Sequence, residues 1–350
     1  MKSLSRSLVG VLVGLLLAGL FVQISGYNAI SAGSSLWQGA TGIESNEVRG
    51  WHLNHYLLAQ SLSKMTPLLL CGLSVMLGLK AGLFNIGGQG QMILGALAAA
   101  WIGAKPISSS PAIQVPLVLL AGIGAGMVWG LVPGWLKAKR GVHEALATIM
   151  LNYIAADVAD YLVRGTLRDT NSMATQTGPI QSSAWLTPLV TGSNLTAGLM
   201  ISLTICLIIG FAIQRTSWGF RLRAVGLGAD AAKASGMKVP DIQMRTMAIC
   251  GGLAGLAGAI EVMSVHHRWV EGIAGTYGFD GIGVALLGGL NASGTLLSSL
   301  FFGMLNSGAG YMKTQTDVPD SLAVIIQALV IIAVGVRFSR AQRANKEVKP

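Results

Sequence analysis

The stretch GLFNIGGQGQMILGA, Gly82 to Ala96, places three amide side chains and several glycines between two strongly apolar runs. A polar group left unpaired in hydrocarbon is costly, so Asn85, Gln89 and Gln91 must each meet a polar partner. Glycines at this density also weaken an apolar helix. The stretch therefore predicts a membrane helix that is broken near its start.

The composition indicates a protein of the lipid bilayer. Of the 350 residues, 52% are hydrophobic and 11% are charged, which is too apolar for a soluble globule of this size. A hydrocarbon core needs roughly 20 apolar residues per helix, and runs of that length recur along the chain. These runs are continuous rather than alternating, which argues against an outer-membrane barrel. The sequence predicts an all-α polytopic membrane protein.

About ten transmembrane spans are expected. They cover residues 7–26, 57–79, 86–104, 112–135, 143–164, 195–213, 244–264, 279–290, 294–312 and 319–337. The third is the broken span described above. The eighth is too short to cross alone and predicts a half-helix whose ends are buried in protein or face water. Residues 1–30 predict a retained first helix, because their apolar run is long for a cleaved signal peptide.

Lys and Arg residues in the connections give the expected orientation. With the N-terminus in the cytoplasm, most of the 24 Lys and Arg residues fall on the cytoplasmic side, notably in the loop 215–243 and in a basic tail, 338–350. Both termini are therefore expected to be cytoplasmic. The formal net charge of +10 follows from this topology, so no nucleic-acid partner is expected.

Two segments hint at an internal duplication. LFNIGGQGQMILGAL and GFDGIGVALLGGL each place Phe and a polar residue, Asn85 or Asp280, before a short Ile-Gly step and an apolar run. Broken segments at matching positions of two halves indicate an inverted repeat with a solute pathway at the repeat interface. A single transmembrane domain is expected over 1–350. Its helical halves are residues 57–164 and 195–337.

Two helices carry regularly spaced glycines. The first set is Gly122, Gly126, Gly130 and Gly134, and the second is Gly251, Gly255 and Gly258. Such glycines lie close together on a helix face and let two helix backbones approach closely. Dense helix packing, rather than chemistry, is predicted for both helices.

Familiar enzyme signatures are absent from the sequence. It contains no GxxxxGKS/T phosphate loop, no HExxH and no GxSxG motif. The three cysteines lie far apart in apolar segments and are expected to be small buried hydrophobes. His266 and His267 are expected to be a solvated surface pair rather than metal ligands. No catalytic residue, no metal and no cofactor bound by this chain are expected.

A charged, alanine-rich segment, SWGFRLRAVGLGADAAKASGMKVP, separates two spans at residues 217–240. It predicts a short helix that is entered after Gly228 and closed by Gly236. The segment is too polar to insert and too short to be a domain. It is therefore expected to lie along the cytoplasmic membrane surface, where a separate energy-supplying subunit could bind it as a rigid element. Residues 217–240 are named here the handle.

Part of this handle resembles the EAA-x-x-x-G loop of ABC importer permeases. In DAAKASG, Asp230 stands in the Glu position, Ala231 and Ala232 in the two Ala positions, and Gly236 in the Gly position. The resemblance implies that these four residues couple a cytoplasmic ATP-binding subunit to transport.

The resemblance extends from about Thr66 to Gln327. PLLLCGLSVMLGLKAGLFNIGGQGQMILGA, GVHEALATIMLNYIA and GFDGIGVALLGGLN are similar to segments of the nucleoside-type branch of the branched-chain amino acid and monosaccharide permease group. One position departs from that branch. Its members usually read FNIGAEGQ, whereas here Gly88 replaces the Ala and Gln89 replaces the Glu. Gln89 keeps the hydrogen-bonding shape of the glutamate but loses its charge.

The resemblance implies the permease subunit of an ATP-driven importer that moves nucleosides or related small polar solutes into the cytoplasm by alternating access. It implies a multi-pass protein in the lipid bilayer of the bacterial cytoplasmic membrane. The expected partners are a cytoplasmic ATP-binding subunit that uses the ATP, an extracytoplasmic substrate-binding protein and a second permease subunit. That second subunit is either a different chain or another copy of this one.

The substrate pathway is expected to be lined by Asn85, Gln89, Gln91 and Asn152. Neutral amides both donate to and accept from ribose hydroxyls and base edges without demanding a charged ligand. The alternative role for these side chains is to tie the broken helix ends to neighbouring carbonyl groups.

Other functions remain open from the sequence. An ion- or proton-coupled secondary transporter would use Asp157, Asp160 and Glu261 as relay carboxylates. Asp157 and Asp160 also fit a hydrated position at the outer interface near Arg164. An ABC permease for sugars or another heterocycle is a further alternative, as is a membrane scaffold or enzyme without a transport role.

Overall fold

The computed structural model describes residues 14, 16–46, 50–316, 318–319, 324–325 and 328–329. The chain is mostly helical, in agreement with the predicted class. In chain order its elements are α1 (16–24), α2 (Ala29–Thr41), β1 (Ile43–Asn46), β2 (Gly50–Leu53), α3 (His55–Lys80), α4 (Gly88–Gly103), α5 (Pro111–Arg140), α6 (Glu144–Arg164), a 3-10 turn (Ser182–Ala184), α7 (Gly198–Arg215), α8 (Ser217–Leu227), α9 (Ala229–Ala234), α10 (Val239–Glu261), a π-helical turn (Val262–His266), α11 (Tyr277–Leu287) and α12 (Ala292–Gln315).

Among the described residues, five helices are long and apolar enough to cross a membrane: α3, α5, α6, α7, and α10 together with its π-helical turn. Each coincides with an expected span. α4 and α11 have only 16 and 11 residues, and they occupy the positions of the expected broken span and half-helix. These helices confirm a polytopic membrane protein. The tail 338–350, most of the expected span 319–337 and the start of the first helix lie outside the described residues.

The connection between residues 27 and 56 departs from expectation, because it contains α2 and a two-stranded hairpin. The side-chain oxygen of Asn28 caps α2 by accepting from two backbone N–H groups. Gly42 ends α2 in the left-handed conformation, with φ 73°. The antiparallel hairpin then pairs Ile43 with Leu53. The fold is therefore not entirely α-helical, which corrects the all-α prediction: residues Ile43–Asn46 and Gly50–Leu53 pair as strands.

The chain forms two compact units. One comprises residues 1–65 and 300–350, and the other comprises residues 66–299. In the first unit α2 packs against α12, where the hydroxyl of Ser307 donates to the carbonyl oxygen of Gly39 at 3.0 Å. The Tyr311 hydroxyl donates to Glu44 on the hairpin at 2.9 Å. These bonds attach α2 and the hairpin to α12 within that unit.

The second unit is built around the buried parts of α3 and α10. The apolar windows of these two helices are 83% and 89% buried, against 22–28% for α5, α6 and α7. A helix that is apolar and buried all round belongs at the centre of a bundle, whereas the less buried helices present apolar surface outward. The sites described below all lie in this second unit.

The predicted glycine ladders form close helix contacts in the second unit. Gly122, Gly126, Gly130 and Gly134 face α10, and a Cβ at Gly126 would fall on the carbonyl oxygen of Gly251. Gly258 faces α4 instead, at Met92 and Ala96. The glycines of α10 therefore allow close approach of both α5 and α4. The prediction of dense packing is confirmed.

Candidate functional site

The chain leaves helical geometry between α3 and α4. Gly82 has φ +72°, and the backbone N–H of Leu83 donates to the carbonyl of Gly78 at 2.9 Å, which closes the end of α3. The chain then runs without helix until α4 begins at Gly88. Residues 83–87, named here the unwound segment, therefore include backbone groups without a helical partner, such as the N–H groups of Phe84 and Ile86.

One face of α6 supplies partners to this unwound segment. Glu144, Thr148 and Asn152 recur every fourth residue, so they share a helix face. The carboxylate of Glu144 accepts from the N–H of Phe84 at 3.4 Å, and the hydroxyl of Thr148 accepts from the N–H of Ile86 at 3.3 Å. This polar ladder replaces the helical hydrogen bonds that the break removes.

Asn152 bonds to both sides of the start of α4. Its Nδ2 donates to the carbonyl of Ile86 at 3.0 Å, and its Oδ1 accepts from the N–H of Gly90 at 2.8 Å. The side chain is only 6% exposed. Asn152 therefore holds the first turn of α4 against α6.

Substitution of Asn152 by leucine should destabilise the protein by roughly 2–4 kcal/mol, because it leaves two buried backbone groups unpaired. The matched control is Tyr153→Leu, one residue further along α6, where the side chain is 67% exposed. That control should cost about 0.5 kcal/mol or less. Thermal unfolding of the purified chain in detergent measures both, and equal midpoints for the two variants would contradict the assigned role.

A second pair of amides closes on itself. Asn85 Nδ2 donates to Gln91 Oε1 at 3.0 Å, and Gln91 Nε2 donates back to Asn85 Oδ1 at 3.2 Å. Asn85 Nδ2 also lies 3.3 Å from the hydroxyl of Ser74, which in turn donates to the carbonyl of Cys250. Both amides are at most 1% exposed. The pair thus connects the unwound segment to α3 and α10.

Gln89 differs from the other three amides because it is only partly buried. Its Nε2 donates to the carbonyl of Gly275 at 2.6 Å, and its Oε1 accepts from the N–H of Gly278 at 3.1 Å. Gly278 lies in the first turn of α11. Gln89 therefore bridges the starts of the two short helices, α4 and α11.

The four amides expected from the sequence do come together around the unwound segment. Asn85, Gln91 and Asn152 bond to one another, to backbone or to Ser74, in the arrangement of the alternative role. Glu144 and Thr148 were not among the site residues predicted from the sequence. Their four-residue spacing ahead of Asn152 in an otherwise apolar helix was the available signal.

Glu144 also connects α5 to the unwound segment. Its carboxylate lies 2.9 Å from the ammonium of Lys137, in the last turn of α5. The side chain of Glu144 is only 9% exposed. A carboxylate buried to this degree needs a charged or hydrogen-bonding partner, which Lys137 and the backbone of Phe84 provide.

The predicted helix of the handle is present as α9, between Gly228 and Gly236. Ala232 is 4% exposed and packs with Val225 of α8 and Val239 of α10. Asp230, Ala231 and Gly236 are exposed. The short helix is therefore attached by one alanine and presents the rest of its motif outward.

The handle also reaches the turn that precedes the unwound segment. Gly226, near the end of α8, lies so close to Lys80 and Gly82 that an added Cβ would fall on the carbonyl oxygen of Lys80. A continuous series of contacts thus runs from α9 through α8 and residues 80–82 to the unwound segment.

His266 and His267 do not form a simple solvated pair. His266 is exposed, but His267 adopts the left-handed conformation with φ 52° and stacks on Trp185 at 4.0 Å between ring centroids. Burial and the charge of Arg268 both lower the pKa of His267. The stacking follows from the loop 165–194, which runs against residues 263–270 and places Trp185 over the ring.

The remaining candidates are the three cysteines and the two aspartates of α6. The three cysteines are buried and unpaired with one another. Asp160 forms an exposed ion pair with Arg164 at 2.9 Å, and Asp157 is exposed. Within the described part of the chain, no group of three or more His, Cys, Asp or Glu side chains is placed to hold a metal ion.

The fold and this site define a helical membrane protein in which a broken helix contacts the short helical segment 217–240. The chain belongs to the family of permease components of branched-chain amino acid transport systems, whose model matches residues 57–335. It is 37% identical to the guanosine ABC transporter permease protein NupP of Bacillus subtilis, over 95% of this chain and 93% of that protein.

Two further relatives bear on the solute. The chain is 30% identical to the nucleoside ABC transporter permease protein NupB of Lactococcus lactis, over 95% of this chain and 90% of the relative. It is 35% identical to the glucose ABC transporter permease protein TsgB13 of Haloferax volcanii, over 79% of this chain and 75% of the relative.

Proposed function

We propose that this chain is the permease subunit of an ATP-driven importer that moves nucleosides or related small polar solutes into the cytoplasm. The observation that carries the proposal is the unwound segment inside an apolar helix bundle of a permease family member. Neutral amides and the polar ladder of α6 hold its backbone in this non-helical conformation. Two relatives with nucleoside or guanosine in their names support the solute class.

The solute route passes the unwound segment on the side of Gln89. Asn85, Gln91 and Asn152 shape this route by holding the backbone. The partly exposed Gln89 also bonds to backbone, and its second N–H and the second lone pair of its oxygen are the groups it would offer to a solute. Nucleosides present hydroxyl groups and base edges of the same neutral character. Because only one of the four amides is partly exposed, few contacts with the solute are expected, which is consistent with the transient binding that transport requires.

ATP binding and hydrolysis take place on a separate cytoplasmic subunit that grips α9 through Asp230, Ala231, Ala232 and Gly236. Closure of that subunit moves α8, whose Gly226 contacts the turn ahead of the unwound segment. A second permease subunit and an extracytoplasmic binding protein complete the importer. The chain itself performs no catalysis and binds no cofactor.

The chain is one transmembrane permease domain with about ten spans and both termini in the cytoplasm of a bacterial cell. The basic connections support this orientation. The inverted repeat is supported by the contact of α4 with α11, since the two sequence-related segments meet at their starts, with Gly88 against the backbone of Gly278. Transporters built from inverted repeats commonly have broken helices that meet near the membrane midplane, which is consistent with this proposal.

The solute class is tested by competition in cells that carry the whole importer and lack other nucleoside uptake. Labelled guanosine should enter, and excess unlabelled nucleosides should suppress its uptake about tenfold or more, whereas equal glucose should not. Cells that lack only this chain are the control. If glucose suppressed the uptake, the solute class would be sugars rather than nucleosides. If nucleosides other than guanosine did not compete, the solute would be guanosine alone.

A further inference from the structure

Gln89 uses its amide as a donor and an acceptor at the same time. The NH2 group donates to the carbonyl of Gly275, and the side-chain oxygen accepts from the N–H of Gly278. Both partners are backbone groups, so neither can change its role. The position therefore requires one side chain that carries a donor and an acceptor together.

The two helix starts are already in backbone contact at this point. A Cβ added to Gly278 would lie within 2.5 Å of the Cα of Gln89, and Gly88 lies against the same glycine. On its other side α11 packs against α3, where Gly281 faces the backbone of Cys71. The Gln89 side chain thus spans a junction with little room for adjustment.

Four titratable side chains near the start of α11 become negatively charged when they ionise. α11 contributes Tyr277 and Asp280, α10 contributes Glu261, and α3 contributes Cys71, and these four interact electrostatically. α6 presents the neutral amide of Asn152 to the same turn of α4. Asp280 lies in the first turn of α11, two residues after Gly278, so a carboxylate at position 89 would add a second negative charge near this helix start.

We propose that Gln89 is a positioning residue that clamps the start of α4 to the start of α11, and that its amide makes this clamp insensitive to pH. A carboxyl at this position keeps both bonds only while protonated, because the carboxylate has no donor for Gly275 and meets its carbonyl oxygen with a like partial charge. The effect of the clamp on uptake rests on the proposed function, whereas its effect on stability does not.

The test compares the wild type with Gln89→Glu and Gln89→Ala. Thermal midpoints of the purified full chain in detergent are measured between about pH 5 and pH 8. Relative to wild type, the Gln89→Glu midpoint should be near native at low pH and should fall as pH rises, because stability is lost when the new carboxyl ionises. Gln89→Ala lacks both bonds and adds no titrating group, so its deficit should be the same at every pH.

The same three proteins are then compared for uptake within the assembled importer. The ratio of Gln89→Glu to wild-type uptake should fall about tenfold across this pH range. This factor corresponds to a difference of about one unit in the pKa of the new carboxyl between the clamped and the unclamped state. Use of the ratio removes the pH dependence of the other subunits.

Two results would overturn the clamp: a Gln89→Glu midpoint that follows wild type at every pH, or a Gln89→Ala midpoint equal to wild type. The second comparison decides the matter even if the glutamate variant does not accumulate. The pH-dependent midpoint together with a wild-type importer that takes up no nucleoside would leave the clamp standing and reject the proposed function.

Discussion

Replacement of residues 229–236 by a Gly/Ser segment of equal length is expected to abolish ATP-driven uptake while the chain still inserts into the membrane. α9 is a rigid element because Ala232 packs with Val225 and Val239. A flexible segment removes that attachment and transmits no displacement from an ATP-binding subunit to α8. The measurement is solute uptake by vesicles, with the amount of inserted chain determined in the same membranes.

The matched control replaces residues 171–174, an exposed turn in which Met173 is fully accessible, by the same kind of segment. This control should retain uptake close to wild type. Unchanged ATP-dependent uptake after replacement of 229–236 would show that α9 does not transmit the motion, and loss of insertion would show that it serves assembly instead.

The largest effect on stability is expected from Gly126→Leu. A side chain at this position must displace α10, because a Cβ would fall on the carbonyl oxygen of Gly251 and lie 2.8 Å from the Cα of Gly255. Overpacking of a dense interior costs roughly 1–3 kcal/mol, and backbone contact on this scale should cost at least about 3 kcal/mol. The variant should accumulate poorly and unfold at a clearly lower temperature.

Gly124→Leu is the control, since Gly124 lies on the same helix with no atom within 4 Å of an added Cβ. It should unfold close to the wild-type temperature. If Gly126→Leu also melted like wild type, the close approach of α5 and α10 would be wrong.

Much of the helical framework follows from the sequence alone. Continuous apolar runs locate α3, α5, α6, α7 and α10, because each needs a membrane-spanning length and has few charges. The break before α4 follows from Gly82 and the amides, and α9 follows from the glycines that bracket it. These features depend on local composition, which a single sequence displays directly.

The roles of the amides could not be obtained in the same way. A polar side chain in an apolar run must have a partner, but the sequence does not reveal whether that partner is a solute, a side chain or backbone. The pairing of Asn85 with Gln91 depends on how the unwound segment folds back on itself. The stacking of His267 likewise depends on a loop about eighty residues earlier in the chain.

The hairpin between α2 and α3 was missed for a different reason. Its strands have only four residues each, and Trp51 and Leu53 are exposed on the same strand. The usual alternation that buries one face is therefore no guide to such a strand. In a membrane protein an exposed apolar residue is ordinary, so exposure and hydrophobicity carry less information than they do in a soluble one.

ATP-driven import by this chain can be measured as uptake into proteoliposomes that contain the purified importer, with the binding protein outside and ATP enclosed. Labelled nucleoside should accumulate inside only when hydrolysable ATP is present, and a proton or sodium gradient without ATP should drive no uptake. Accumulation driven by such a gradient, with this chain as the only protein in the membrane, would contradict ATP-driven import.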